Sequence, residues 1–117
     1  WMDELIFVAG CQKDLEKFPL PVRELVAVAL DWARQGTRHP DVKVLQGFGG
    51  AGVLEIRDQY SGAAYRVVYT TQFTGAVYAL HAFKKKSTHG IATPKKDMDK
   101  VRARLKEAQR LHQVSRG

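Results

Sequence analysis

One cysteine among 117 residues rules out an internal disulfide, which suits a chain kept in a reducing cytoplasm. Cys11 lies between an apolar run and a polar segment. No histidine stands near it in sequence to activate it, so it is not expected to act as a nucleophile. No apolar run approaches the roughly 20 residues that a membrane-spanning helix needs, and no signal-peptide pattern stands at the start. A cytoplasmic protein with no membrane partner is expected. The histidines His39, His81, His89 and His112 show no metal-ligand spacing and have no accompanying carboxylate pair. No nucleophile elbow of the Gly-x-Ser-x-Gly kind is present. Neither a metal nor another cofactor is expected.

Negative charge is scarce in the second half. Residues 59–117 hold twelve Lys/Arg against three Asp/Glu, whereas residues 1–58 hold seven against nine. The net charge of +7 therefore comes entirely from the second half, and it suggests a polyanionic partner, either nucleic acid or an acidic protein. With 44% hydrophobic and 26% charged residues, residues 1–117 read as one globular domain, with no room for a second core.

Leu5-Ile6-Phe7-Val8-Ala9, closed by Gly10, reads as a buried strand. Residues 11–18 read as a short helix ended by Pro19. A longer helix is expected over 21–35, with Leu25, Val28, Ala29, Trp32 and Ala33 on its core face and a stop at Gly36. Strands follow at 42–46, 53–58, 64–71 and 76–85, with turns at Ser61-Gly62 and Thr74-Gly75. The glycine-rich stretch from Gly47 to Gly52 lacks the Lys-Ser/Thr ending of a phosphate loop, and no helix pattern follows it; it reads as a turn. Pro94 opens a last helix to about residue 112, with Met98, Val101, Leu105, Ala108 and Leu111 along one stripe. The order β-α-α-β-β-β-β-α predicts an α+β fold, with two N-terminal helices on a four- to five-stranded, mainly antiparallel sheet and a basic C-terminal helix.

Strand alternation sorts the side chains into two faces. Leu54, Ile56, Tyr65, Val67, Tyr69, Tyr78, Leu80 and Ala82 fall on one, fit to pack on the helices. Glu55, Arg57, Arg66, His81, Phe83 and Lys85 fall on the other, which does not read as core. An ordinary solvated sheet face is one reading of it. The recurrence of cations on three strands, with Lys84-Lys85-Lys86 at the end of the last, favours an anion-binding face, because crowded like charges cost energy unless an anion offsets them. These groups suit RNA cleavage by transesterification. An arginine can grip a phosphate through two parallel hydrogen bonds. A lysine crowded by other cations is a candidate base, and an aromatic ring such as Phe83 can stack on an unpaired base.

The stretch from Gly49 to Arg57, followed by Tyr65-Arg66-Val67-Val68-Tyr69, resembles the RelE/ParE toxin superfamily. The run from Val77 to Ser87, which contains Leu80-His81-Ala82-Phe83-Lys84-Lys85-Lys86, narrows this; with Gly90-Ile91-Ala92-Thr93-Pro94 and the basic helix it resembles the phage-derived HigB-like branch. The likeness runs from about residue 5 to residue 112. It implies a toxin of a type II toxin–antitoxin pair that cuts messenger RNA in the ribosome without a metal. It also implies a cognate helix-turn-helix antitoxin. By the same resemblance Arg66 is the strand arginine, Lys84 and Lys85 are the basic pair ending the last strand, and Arg57 is the basic position of the strand before. The chain departs from the pattern in two places. Val53 and Glu55 stand where relatives carry lysines, and residues 87–117 contain no tyrosine where relatives place a catalytic one.

The leading expectation is a ribosome-dependent endoribonuclease. Its candidate catalytic residues are Arg66, Lys85, Lys84, Arg57, Glu55 and His81, with Lys86, Phe83, Lys95 and Lys96 binding RNA. The alternatives are a non-enzymatic, ParE-like inhibitor of DNA gyrase and a degenerate toxin that only binds its antitoxin. A shared fold does not choose among them.

Overall fold

The computed structural model describes residues 2–86 and 92–116. Ser87, His89 and the Gly90-Ile91 part of the family pattern lie outside the described residues. The first strand, β1 (Glu4–Phe7), gives way to a left-handed residue, Ala9 at φ 51°, which redirects the chain into the short helix α1 (Cys11–Leu15). Helix α2 (Leu20–Arg34) begins behind Pro19 with Pro21 in its first turn, where a missing N–H costs nothing, and the chain leaves it through Gly36 at φ 84°. Strands β2 (Val42–Val44), β3 (Val53–Tyr60), β4 (Ala63–Thr70) and β5 (Ala76–Lys85) follow, then helix α3 (Lys95–Arg116). Ser61 and Gly62, at φ 53° and 82°, join β3 to β4 by the kind of tight turn whose twist matches a hairpin.

The strands lie in the order β1-β5-β4-β3-β2. β1 runs parallel to β5 and the remaining pairs are antiparallel. The predicted element order is observed, in an α+β fold with a five-stranded, mainly antiparallel sheet. Among the described residues no helix is long and apolar enough to cross a membrane.

Both faces of this sheet are covered. α1 and α2 pack on one face over Leu54, Ile56, Tyr65, Val67, Tyr69, Val77, Ala79 and Ala82. On the other face a second apolar cluster holds Val8, Leu45, Val53, Val68, Tyr78, Leu80 and Phe83 against Val101 and Ala108 of α3. This corrects the expectation that the second face is not core: the apolar stripe of α3 needs a surface to bury, and the sheet supplies it.

The assignment of Tyr78 and Leu80 to the α1/α2 face is also corrected. The β4–β5 register slips between Val68, opposite His81, and Tyr69, opposite Ala79, so Leu80 is an extra residue in β5. A bulge of this kind breaks the two-residue alternation. Leu80 and His81 both turn toward α3, and every position before them in β5 changes face.

In α2 the buried stripe is Val22, Val26, Ala29, Leu30 and Ala33, whereas Val28 is 48% and Trp32 39% exposed. The expected stripe is therefore rotated away from Val28 and Trp32, while Leu25 still packs, half-buried, against the core. Both stripes share Ala29 and Ala33, whose small side chains let the helix approach the sheet. The side carrying Val22, Val26 and Leu30 faces inward. Trp32 instead lies edge-on to the His39 ring, at 5.1 Å between centroids.

Candidate functional site

Arg57 of β3 and Arg66 of β4 are directly opposed in the strand register, and Glu55 precedes Arg57 by two residues on the same face. The Glu55 carboxylate is wholly buried. Its Oε1 accepts from Arg57 Nε at 2.9 Å and from Arg66 Nη1 at 3.2 Å. Its Oε2 accepts from Thr93 Oγ1 at 2.8 Å, which ties the sheet to the segment leading into α3. Opposed like charges destabilise a strand pair. Here a buried carboxylate placed between them offsets that cost, and the inward charges are paired as buried charges require. The expectation that an external anion must offset these cations is thus met from within the chain.

Both arginines line an open depression of about 340 Å³, together with Asp41, Asp58, Gln59 and Ala64. The Arg57 side chain is 27% exposed and that of Arg66 7%. Arg57 is the more accessible of the two, and Arg66 is set deeper in the sheet.

The three lysines at and just beyond the end of β5 do not act as one group. Lys85 donates from Nζ to the Ala92 carbonyl at 2.6 Å. Lys84 alternates to the other face, where its ammonium stands 5.9 Å from the centre of the Tyr65 ring. Lys86 is exposed. On α3, exposed Lys95 pairs with Asp99 at 2.9 Å, and Lys96 is exposed as well.

His81 and Phe83 lie inside. His81 is 3% exposed, and the Phe83 ring stacks on it at 4.8 Å. Phe83 also belongs to the cluster under α3, so its ring is taken up by the core. His81 Nε2 is 2.7 Å from Asp97 Oδ1, and Arg104 Nη1 is 3.2 Å from His81 Nδ1. A guanidinium can only donate, so Nδ1 must be the acceptor and the ring proton must sit on Nε2, directed at Asp97. Burial, opposed by the Asp97 hydrogen bond, holds the imidazole below the usual histidine range. Arg104 also donates to the Leu80 carbonyl at 3.0 Å. This neutral imidazole, the aspartate and the arginine dock α3 on the bulge of β5.

Sequence reasoning passed over Thr93, Asp97 and Arg104 as members of this network. A signal for the last two was present: both lie on the inward side of α3 with Val101 and Ala108, and polar residues within an apolar stripe imply buried partners. Thr93 gave no comparable sign, because its bond to Glu55 spans 38 residues of sequence.

Among the described residues no cluster of three His, Cys, Asp or Glu side chains suits a metal ion. Cys11 is wholly buried, and burial pushes its thiol up to about 12, which leaves it inert.

Comparison with known proteins agrees with this architecture. No curated protein matches the chain by sequence. Among solved structures, the E. coli toxin RelE, a mutant with two arginines replaced by alanine and in the free state, superposes with a TM-score of 0.61 at 19% identity. The match covers 90% of this chain and 99% of that one. The toxin–antitoxin complex RelBE2 from Mycobacterium tuberculosis gives a TM-score of 0.44 at 21% identity over 74% of this chain and 94% of that one. The model of the phage-derived Gp49-like proteins matches residues 13–106, which take in α2, the β2–β5 part of the sheet, the Glu55-centred arginines and the first half of α3. The chain therefore belongs to the phage-derived Gp49-like protein family, and it shares its fold with the E. coli toxin RelE.

Proposed function

We propose that this protein is the toxin of a type II toxin–antitoxin pair and that it cuts messenger RNA in the ribosome without a metal. The observation that carries the reading is the pair Arg57 and Arg66, opposed across two strands, pinned by one buried carboxylate and lining one open depression. Two preorganised guanidiniums suit the charge that grows on a phosphate when a 2′-oxygen attacks it. In that step the 2′-O–P bond forms and the P–O5′ bond breaks, leaving a 2′,3′-cyclic phosphate and a 5′-hydroxyl. Arg57 binds the outer phosphate oxygens, and Arg66 supports the developing charge from below. Lys85 and Lys84 hold the backbone on the two sides of the sheet edge, and Lys85, on the face of the arginines, serves in proton transfer, while Lys86, Lys95 and Lys96 meet flanking RNA. Glu55, already engaged by three donors, acts by positioning the arginines. His81 acts by seating α3. The cognate partner is a helix-turn-helix antitoxin that covers this basic surface, and the setting is the cytoplasm.

The test is cleavage of a defined messenger in a purified translation system, with wild type beside Arg66→Ala and Lys85→Ala. Cuts at codon boundaries that appear only with ribosomes, and fail in both variants, are expected. A folded wild type that makes no cuts would overturn the reading, and inhibition of DNA gyrase would be the next assay.

A further inference from the structure

Arg57 stands on a boundary between two depressions. On one side it shares the 340 Å³ depression with Arg66. On the other it lines a second one, of about 290 Å³, with Val44, Leu45, Gln46, Thr93 and Met98. The two differ in chemistry. Carboxylates and an amide ring the first; the Leu45 side chain and the Met98 thioether supply the apolar wall of the second, while Val44 turns its side chain to the α1/α2 face. Leu45 is buried, Val44 and Met98 are half-buried, and Gln46 is exposed. Gly47 holds this arrangement together. At φ 101° it turns the chain out of β2, and a Cβ there would lie 3.6 Å from the Met98 methyl group, so the turn rests directly on α3. The second depression is therefore a fixed space between the end of β2 and the start of α3, one side chain away from the paired arginines.

A nucleotide has the same two-part character: a charged phosphate and, one sugar away, a flat apolar base with a hydrogen-bonding edge. We propose that the 290 Å³ depression is a base-binding subsite, taking the nucleobase next to the phosphate held by Arg57 and Arg66. This rests on the RNA-cleavage reading above. Leu45 and the polarisable Met98 thioether pack against the base, and the plane of Arg57 covers it from the phosphate side. Gln46 reads its edge. A carboxamide offers one acceptor and two donors, which suits an unstacked base whose edge is open. Thr93 spends its hydroxyl proton on Glu55, so toward the depression it presents an acceptor. Discrimination among bases thus falls to Gln46 and Thr93, and apolar packing to Met98 and Leu45.

The chain has only two methionines, Met2 and Met98, so methyl-labelled protein gives one reporter in the subsite and one remote control. The probes are 2′-O-methyl dinucleotides, which have no 2′-proton and cannot be cut, alongside base-free ribose 5-phosphate. The Met98 methyl resonance is expected to shift with the dinucleotides in a base-dependent order while Met2 stays still. Gln46→Ala is expected to flatten that order by at least ~5-fold in relative affinity. In the translation assay the same variant is expected to redistribute cuts among codons. A Met98 signal that stays still, or that responds equally to ribose 5-phosphate, overturns the subsite. An unchanged base order in Gln46→Ala removes that residue from the assignment. Cutting with a silent Met98 would sink the subsite and leave the cleavage reading standing; a responsive Met98 without cutting would do the reverse.

Discussion

Arg57 and Arg66 face each other across β3 and β4 and share a single oxygen atom, Oε1 of Glu55, as their common acceptor. Removing that oxygen takes away the acceptor that the two opposed cations share. Taking one member out of a buried ionic group typically costs about 3–5 kcal/mol, and Arg57, being partly exposed, can regain some water, so Glu55→Ala is expected near the lower limit. Glu55→Gln keeps one acceptor and is expected to cost less. Urea unfolding of the two variants checks the order, and equal losses would contradict the shared-oxygen account.

Acid should loosen α3 through His81. Its imidazole is held below the usual range by burial, so at mildly acid pH the unfolded chain takes up a proton that the folded chain refuses. The sign follows: the stabilising contribution is whole above the unfolded histidine value, near pH ~6.5, and is lost as the pH falls from there through the lowered folded value. Wild type should therefore lose more stability between neutral pH and the acid side of that window than His81→Gln does. Denaturant titrations at the two pH values read this directly, and parallel losses would count against it.

Cys11 offers a chemical clock for opening of the α1/α2 side. With the thiol wholly buried and pushed up to about 12, reaction with a thiol reagent at pH 8 should be slow in the folded protein and immediate in denaturant. Rapid labelling of native protein would show that α1 does not cover it.

Two neighbouring positions of α2 should respond very differently to truncation. Leu30 is 2% exposed and Val28 48%. Leu30→Ala is expected to cost about 2–5 kcal/mol, and Val28→Ala no more than about 0.5. Thermal or chemical unfolding distinguishes this orientation of the helix from the one that buries Val28.

That orientation was misjudged from the sequence, which put Val28 and Trp32 on the core face. α2 carries two apolar stripes, and periodicity alone does not say which one meets the sheet. The element order, the hairpin at Ser61-Gly62 and the stripe of α3 were all legible, because each follows from local spacing or turn chemistry. The grouping of Glu55, Arg57 and Arg66 was legible too: regular β3–β4 pairing keeps alternation intact across both strands. In β5 the same rule fails at the bulge, so it misplaced Tyr78 and Leu80 while still placing His81 and Phe83 correctly beyond it. What alternation could not convey was depth. It put Glu55, His81 and Phe83 on a face read as exposed, and only the docking of α3, a long-range event, buries them.

The bond from Thr93 to Glu55 gives the order of synthesis a meaning. A chain made from its N-terminus presents Glu55 and both arginines well before Thr93, and α3 follows the whole sheet. Until then one carboxylate oxygen lacks its partner, and the face that carries the arginines has no lid of helix to seat it. Synthesis of Thr93 and α3 is thus the final step in assembling this surface, and a chain that stopped before them would carry the right side chains without the brace that aligns them.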